Sequence, residues 1–408
     1  MDATARSLAA FDQTTARLVG VVPAGDVSPI VGRRRYLHAG PPPLDPAGVP
    51  GPMRGALLGA LLLEGEADDL DGAAAILDGG DLELVPCHEA GAVGAMAGIV
   101  TPGMPVVVVE GDGGATAFSP LNEGLGRALR FGSHDDDTLA RLAWMRDGAA
   151  PLLDRALTAA GGIEITGLQA EGLRRGDECH NRNVASTANL VLRLVPGILR
   201  AARAGDDPAA VVEWAAANPH FFLPVSMAAA KAIADRGHGI PGSPVVTAIC
   251  GNGNRCAIRV SGLGDRWLDG PAPLGEPRLF PGFTPAEAQP MMGDSYITET
   301  VGLGAFALSA SPAITAFVGG DPTRVVEYVA EMRQICAGTS SRFLLPFEGF
   351  RGSPIGIDVH RVAATGIAPL VNNGLAHRDP APGQVGAGLT RLPLEPFRDA
   401  SRLLGGTH

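Results

Sequence analysis

In the run Gly176-Asp177-Glu178-Cys179-His180-Asn181-Arg182-Asn183, seven consecutive polar or ionisable residues stand inside a chain that is 46% hydrophobic. Imidazole titrates near neutral pH, so His180 is a candidate general acid or base. Asp177 and Glu178 are placed to orient it. Asn181, Arg182 and Asn183 offer donors to a carbonyl or anionic oxygen. The same residues also suit a plainer purpose: Asp177 or Asn181 as a helix cap, and the rest as an interdomain salt-bridge network. A second candidate is Pro86-Cys87-His88-Glu89, between an apolar strand and the small-residue stretch 90–99, where a helix is expected. Free N–H groups and the helix dipole favour anions at such a junction. Cys87 beside His88 is either an activated thiolate or a buried apolar thiol. The third is Gly51-Pro52-Met53-Arg54-Gly55. Arg54 in a first helical turn opposes the dipole unless an anion or an acid meets it, and it suits a phosphate or carboxylate clamp.

Weaker candidates lie further along. Asn122-Glu123-Gly124 precedes an expected helix bearing Arg127 and Arg130. Gly293-Asp294-Ser295-Tyr296, then Thr298-Glu299-Thr300, fits a capped helix start. Asp358 and His360 would share one face of a strand. Asn372-Asn373-Gly374 and His377 are flanked by glycine. His88, Glu89, Asp177, Glu178 and His180 are suitable metal ligands by type, but their spacing matches no His-Glu-x-x-His or paired-cysteine pattern, so no metal is called for. Neither P-loop spacing nor Gly-x-Gly-x-x-Gly occurs at these loops, which argues against nucleotide binding by the standard routes.

The elements that must position these residues follow from periodicity. Helices are expected at 2–18, 55–66, 67–78 and 90–99, with strands at 82–85 and 105–110. Residues 20–50 are rich in Gly and Pro and include His38-Ala39-Gly40. Helical segments at 135–160, 166–175, 184–203, 208–217 and 224–236 follow with short gaps. Strands at 244–250 and 256–260 flank Gly251-Asn252-Gly253-Asn254-Arg255, whose Gly and Asn accept positive φ and signal a hairpin. Helices are expected again at 296–317 and 321–337. The pattern predicts an α/β class, multidomain: an N-terminal α/β layer domain (1–132), a mainly helical domain (133–236) and a C-terminal α+β domain (237–408).

Composition bounds the partners. The net charge is −11, which disfavours nucleic acid. Lys231 is the one lysine. Five dispersed cysteines without a Cys-x-x-Cys pair suit a reduced, cytoplasmic protein. No apolar run approaches the ~20 residues that span a bilayer, so no membrane association is expected. The N-terminus looks like an amphipathic helix, not a signal peptide.

Several of these motifs occur together in one bacterial family. They are the run Ile30–Pro43, Gly51–Ala56, Pro86-Cys87-His88 with Met96-Ala97-Gly98, and Gly176–Asn183. Arg259–Trp267, Gly293–Thr300 and Gln384–Gly388 complete the set. On them the chain resembles the YlbE/AllG-like family over nearly its whole length. That family is associated with FdrA-type proteins in allantoin degradation. The resemblance implies a subunit of oxamate carbamoyltransferase, which converts oxalurate and phosphate to oxamate and carbamoyl phosphate. It implies a small anionic carbamoyl or ureido substrate, an FdrA-like partner and an oligomer. No cofactor is implied beyond phosphate or carbamoyl phosphate as substrate. Under that reading Arg54 and Arg182 clamp anions, Asn181 and Asn183 stabilise an oxyanion, and His180 delivers a proton to the leaving nitrogen. The site would lie between loops near 38–54, 86–89 and 176–183. His38, Cys87, His88, Asn252 and Asp294 would complete it. The motifs of aspartate and ornithine carbamoyltransferases are absent. Glu89-Ala90 stand where the family often has histidine, and Asn254-Arg255 where it has a small residue and an acid. Two alternatives stay open: a non-catalytic subunit that binds an FdrA-like partner, and a hydrolase of cyclic amides or ureides.

Overall fold

The computed structural model describes residues 1–42, 48–380 and 382–406. Residues 43–47 of the expected site loop, Pro43 of the family motif among them, lie outside the described residues.

The first helix, Ala3–Gln13, is shorter than the expected 2–18. The N–H and hydroxyl of Thr14 turn back onto the Ala10 carbonyl, and the β-branched run Ala16–Pro23 becomes a strand. This strand pairs antiparallel with Pro105–Gly111 and with Ile163–Glu164. Pro105–Gly111 pairs in turn with Ala115–Pro120. The result is a four-stranded antiparallel sheet in which the expected buried strand 105–110 is a central member.

Helix Leu223–Arg236 packs on this sheet and on strand Val246–Asn252. Every residue from Leu223 to Ala234 is buried, and its alanines let the layers approach. Val246–Asn252 and Arg255–Val260 form the expected antiparallel hairpin, turned at Gly253 with φ +88°. Leu268–Pro271 and Met292–Gly293 extend it to four strands. A three-stranded sheet (Glu276–Leu279, Gln384–Arg391, Leu370–Ala376) and two two-stranded ones complete a mixed α/β protein. One apolar cluster draws its members from Phe11 to Ala400.

The helical stretch forms Asp136–Trp144, Ala150–Ala160, Thr166–Arg174, Val184–Ala201 and Pro208–Ala217 before Leu223–Arg236, close to expectation. Helix Val184–Ala201 is long and apolar enough to cross a membrane by length and composition, yet it packs on Ala150–Ala160 as a core helix. A Cβ on Gly197 would stand 3.0 Å from the Ala156 carbonyl oxygen.

Four expected elements are absent or broken. Residues 90–99 form no helix; one 3₁₀ turn, Cys87–Ala90, is followed by Met96 and Gly98 at positive φ. A Cβ on Gly98 would stand 2.5 Å from Ala39 Cβ, so the chain bends here to pass the 38–40 loop. The segment after Asn122 is broken by Gly124 and Gly126 at positive φ, which leaves only the 3₁₀ turn Leu129–Phe131. The 296–317 helix is interrupted by Gly302 and Gly304, both at positive φ, and survives as Ile297–Thr300 and short turns. Asp358 is an N-cap rather than a strand residue; its carboxylate accepts from the His360 and Arg361 N–H groups of helix Val359–Thr365.

Candidate functional site

Loop 176–183 joins helix Thr166–Arg174 to helix Val184–Ala201. Gly176 and Cys179 adopt positive φ, and this folds the polar run inward. Asp177 is fully buried. Its carboxylate accepts from the Ser186 N–H at 2.7 Å, the Ser186 hydroxyl at 2.9 Å and the Arg182 guanidinium at 2.7 Å. It therefore caps the following helix from outside and anchors Arg182. Burial raises its pKa against these donors. The Glu178 carboxyl accepts from the backbone N–H groups of His180 at 2.9 Å and Arg182 at 2.6 Å. Burial pushes it up to about 7. Asp177 and Glu178 thus shape the loop, and neither orients the imidazole.

That role falls to Glu299. His180 Nδ1 lies 2.9 and 3.1 Å from the two Glu299 carboxylate oxygens. Glu299 is itself held by the Thr298 hydroxyl at 2.8 Å, the Ala305 N–H at 3.2 Å and the Asn372 N–H at 3.0 Å. Both residues are buried. Burial disfavours the imidazolium, but the charge and hydrogen bond of Glu299 outweigh it, and the His180 pKa rises above 6.5. Nδ1–H donates to the carboxylate. Nε2 has no hydrogen-bond partner among the described residues, so it is the nitrogen that can exchange a proton with a ligand. The Tyr296 ring stands edge-to-face with His180, centroids 5.9 Å apart, and its hydroxyl donates to Asn373 Oδ1.

Around this pair several buried amides are unpaired. Both side-chain polar atoms of Asn372, Asn373 Nδ2, Asn181 Nδ2 and Asn183 Oδ1 lack partners. Buried polar groups are normally satisfied, so such a concentration beside the His180–Glu299 pair sets this region apart from the rest of the core. Asn183 Nδ2 donates to the His180 carbonyl; the group it leaves free is an acceptor, which changes the oxyanion-donor role expected for it. His220 donates from Nε2 to the Asn181 carbonyl at 2.9 Å, and burial lowers its pKa to about 3, so it stays neutral.

The second expected cluster also assembles. Asp294 is fully buried and accepts from the Gly40 N–H at 2.9 Å and the Gly94 N–H at 3.0 Å. Burial pushes its carboxyl up to about 7. His88 Nε2 lies 3.9 Å away, and both His88 nitrogens are unpaired, as is His38 Nε2. Burial lowers His38 to about 4 and holds His88 well below 6.5. Cys87 donates to the Gly98 carbonyl and burial raises its thiol well above 9, so it is no thiolate. Asn252 ties the loop at Pro41 and accepts from the Asn254 and Arg255 N–H groups, forming the hairpin turn. Segment 294–300 links the two clusters, with Asp294 in one and Tyr296 and Glu299 in the other. Arg54 joins neither. Its guanidinium makes a bidentate pair with Asp78 at 2.6 and 2.9 Å, the acid that an arginine in a first helical turn requires. Among the described residues no group of three or more His, Cys, Asp or Glu side chains is arranged to hold a metal ion.

Sequence reading named Tyr296 and Glu299 only within a weaker candidate motif that fits a helix start and gave them no role, and it missed His220, which carries no local signal beyond its type.

Fold and site define a mixed α/β protein with a buried imidazole–carboxylate pair beside a polar interhelical loop. A family model described as oxamate carbamoyltransferase subunit AllG matches residues 82–295, and the chain belongs to that family. Oxamate carbamoyltransferase subunit AllG of Escherichia coli K12 is 42% identical over 91% of this chain and 89% of its own length. Uncharacterized protein YahG of the same organism is 39% identical, covering 94% and 81%. A crystal structure of a conserved protein of unknown function from Enterococcus faecalis V583 superposes with a TM-score of 0.96 at 40% identity, covering 98% of this chain and 96% of that one.

Proposed function

We propose that this chain is the subunit of an oxamate carbamoyltransferase that holds the ureido substrate and supplies the proton for its cleavage. The observation carrying this reading is the His180–Glu299 pair, with Nε2 free, in a family whose Escherichia coli member is named for that enzyme. A phosphate oxygen bonds to the terminal carbamoyl carbon of oxalurate. The C–N bond to the oxamate nitrogen then breaks, and His180 Nε2–H protonates that nitrogen as it leaves. The products are oxamate and carbamoyl phosphate. The supporting physical point is that the charge and hydrogen bond of Glu299 outweigh burial and raise the His180 pKa above its ordinary value, which favours the imidazolium that donates.

An FdrA-like protein is the proposed partner. The observation favouring a bound form is an exposed apolar stripe on helix Val184–Ala201, where Val184, Leu192 and Leu199 are 50, 73 and 63% exposed.

The test reconstitutes the chain with its FdrA-like partner and follows oxamate release from oxalurate with and without phosphate. The expected result is phosphate-dependent release that His180→Asn lowers by about 10²–10⁴-fold in a chain that still folds. Full activity of His180→Asn would sink the assignment. Phosphate-independent release would replace it with a hydrolase.

A further inference from the structure

Helix Val184–Ala201 carries more than three exposed apolar residues. It has 18 residues and is about 27 Å long. Exposed Ala188 and Pro196 continue the stripe between Val184, Leu192 and Leu199. Each end of the stripe meets a different hollow. At the Val184 end lies a cavity of about 160 Å³, with Leu125, Val184, Pro219, Ala313, Ile314 and Phe317 as its apolar lining. Apolar cavities of about 150 Å³ take up a benzene ring. At the Ala201 end a groove of about 560 Å³ lies between Arg155 and Thr158 on one side and Arg200 and Arg203 on the other. The Arg155 guanidinium is held by Asp206 at 2.5 Å. Arg200 and Arg203 are exposed, and neither guanidinium has a partner among the described residues. Arg193 is likewise exposed and unpaired. It precedes Arg200 by about two turns, so both stand on the same flank of the stripe.

Whatever covers this face must bring an apolar ridge, a ring-sized side chain at one end and carboxylates at the other. A second copy of the chain does not. Isologous contact lays the helix on itself either parallel or antiparallel. The parallel arrangement sets Arg193, Arg200 and Arg203 against themselves. The antiparallel one sets Arg200 and Arg203 at the far end, where the charged residue lining the cavity is Arg182. A lipid surface meets leucines and arginines but leaves the cavity without its ring. We propose that this face receives an amphipathic helix of a different protein, with an aromatic side chain in the cavity and an acidic turn, about four turns away, in the arginine groove. Complementary charge of this kind fixes partner and register. Acidic residues are most favourable in the first turn of a helix, and a helix N-terminus is favourable beside the C-terminus of Val184–Ala201. The partner helix therefore runs antiparallel to it. The inference deepens the partner reading above, and rests on it only for the presence of a second protein subunit.

The experiment measures fluorescence anisotropy of a labelled synthetic helix of about 20 residues titrated with the purified chain. The peptide has glutamates in its first turn, leucines along one face and a phenylalanine about four turns later. A control peptide of the same composition spreads the leucines and phenylalanine around the helix. One helix face is smaller than the ~800 Å² a side of a standard interface, so a dissociation constant on the order of 10–100 μM is expected. The control should bind at least about tenfold more weakly. Arg200→Glu/Arg203→Glu should weaken the first peptide by about tenfold, because exposed ion pairs are worth up to about fivefold each. Lysines in place of the peptide's glutamates should restore it. Ala313→Phe narrows the cavity from an exposed position, and should weaken the first peptide but not one whose phenylalanine is replaced by alanine. Both variants should melt with wild type. No saturable binding of the first peptide, equal binding of the control, or charge reversal without rescue overturns the proposal. Binding of phosphatidylserine vesicles in place of the peptide, abolished by Leu192→Asp/Leu199→Asp, replaces it with a membrane surface. The functional reading fails separately. A chain that binds the peptides as expected, but whose assembly gives no phosphate-dependent transfer, loses the activity and keeps the surface. An active assembly that Arg200→Glu/Arg203→Glu leaves intact loses the surface and keeps the activity.

Discussion

Glu299 gives His180 a fixed tautomer and a raised pKa, and both effects are open to test. In Glu299→Gln the side chain keeps its size and its oxygen still accepts from a backbone N–H, but the charge facing Nδ1 is gone. The His180 pKa then falls, because burial alone disfavours the imidazolium. A step that needs protonated His180 loses activity on the alkaline side of its profile. We therefore expect the alkaline limb in Glu299→Gln to move to lower pH, and an NMR titration of His180 to move with it. Loss of activity with an unmoved limb would give Glu299 a structural role only. The stability term has the same sign. A folded pKa above the unfolded 6.5 means that the ion pair stabilises fully below about pH 6.5, and that this is lost as pH rises through the folded value. The loop carrying His180 was legible in sequence because seven polar residues in an apolar chain must be paired or used. Its partner was not, because Glu299 lies 119 residues away and a Thr-Glu-Thr run is ordinary at a helix start.

At the scale of elements, buried carboxylates staple segments that the chain would otherwise leave loose. Asp177 caps helix Val184–Ala201 through Ser186 and neutralises Arg182. Asp177→Ala removes the cap, worth about 1–2 kcal/mol, and leaves buried donors unpaired. The expected total loss is on the order of 3 kcal/mol, read as a lower denaturant midpoint at unchanged m-value; a midpoint within error of wild type would refute the capping role. Asp294 holds Gly40 and Gly94 together. Its folded pKa, about 7 against a usual 3.8, favours the neutral acid. That contribution to stability is complete below about pH 3.8 and is lost as pH rises toward 7. Asp294→Asn should flatten the pH dependence of unfolding free energy over this window by roughly one proton's worth of slope, while Glu178 keeps its own contribution. An unchanged slope would place the titration elsewhere. These staples explain where sequence reading of the elements succeeded. Helices between 136 and 236 carry clean 3.6-residue periodicity and emerge nearly as expected. Residues 90–99 have the small side chains of a close-packed helix, but their backbone must pass Ala39 and reach Asp294, so Met96 and Gly98 turn left-handed. No local propensity encodes that crossing.

At the scale of the molecule, the exposed stripe is the feature that folding does not explain. Helix Val184–Ala201 buries Leu190, Leu194 and Ile198 against the core and leaves Val184, Leu192 and Leu199 outward. Surface leucines exposed singly are common, but these three recur at intervals that place them on one side of a single helix. Val184 also borders the cavity beside the His180 loop, as does Leu125, which is 45% exposed. A partner seated on the stripe would therefore reach the mouth of that cavity and exclude water from it, which strengthens every polar contact inside. The double variant Leu192→Asp/Leu199→Asp separates docking from folding. Neither side chain supports the core, so each substitution should change stability by no more than about 0.5 kcal/mol. Co-purification with the proposed FdrA-like partner should be lost, and oxamate affinity should stay at the value of the free chain when that protein is added. In the wild-type protein the same addition should tighten oxamate binding, because a covered mouth excludes water from the polar loop that carries His180. If the double variant still co-purifies, the partner binds another face and the stripe plays no part in assembly. If it fails to bind but the wild-type complex holds oxamate no more tightly than the free chain, the stripe is a docking surface without reach to the site.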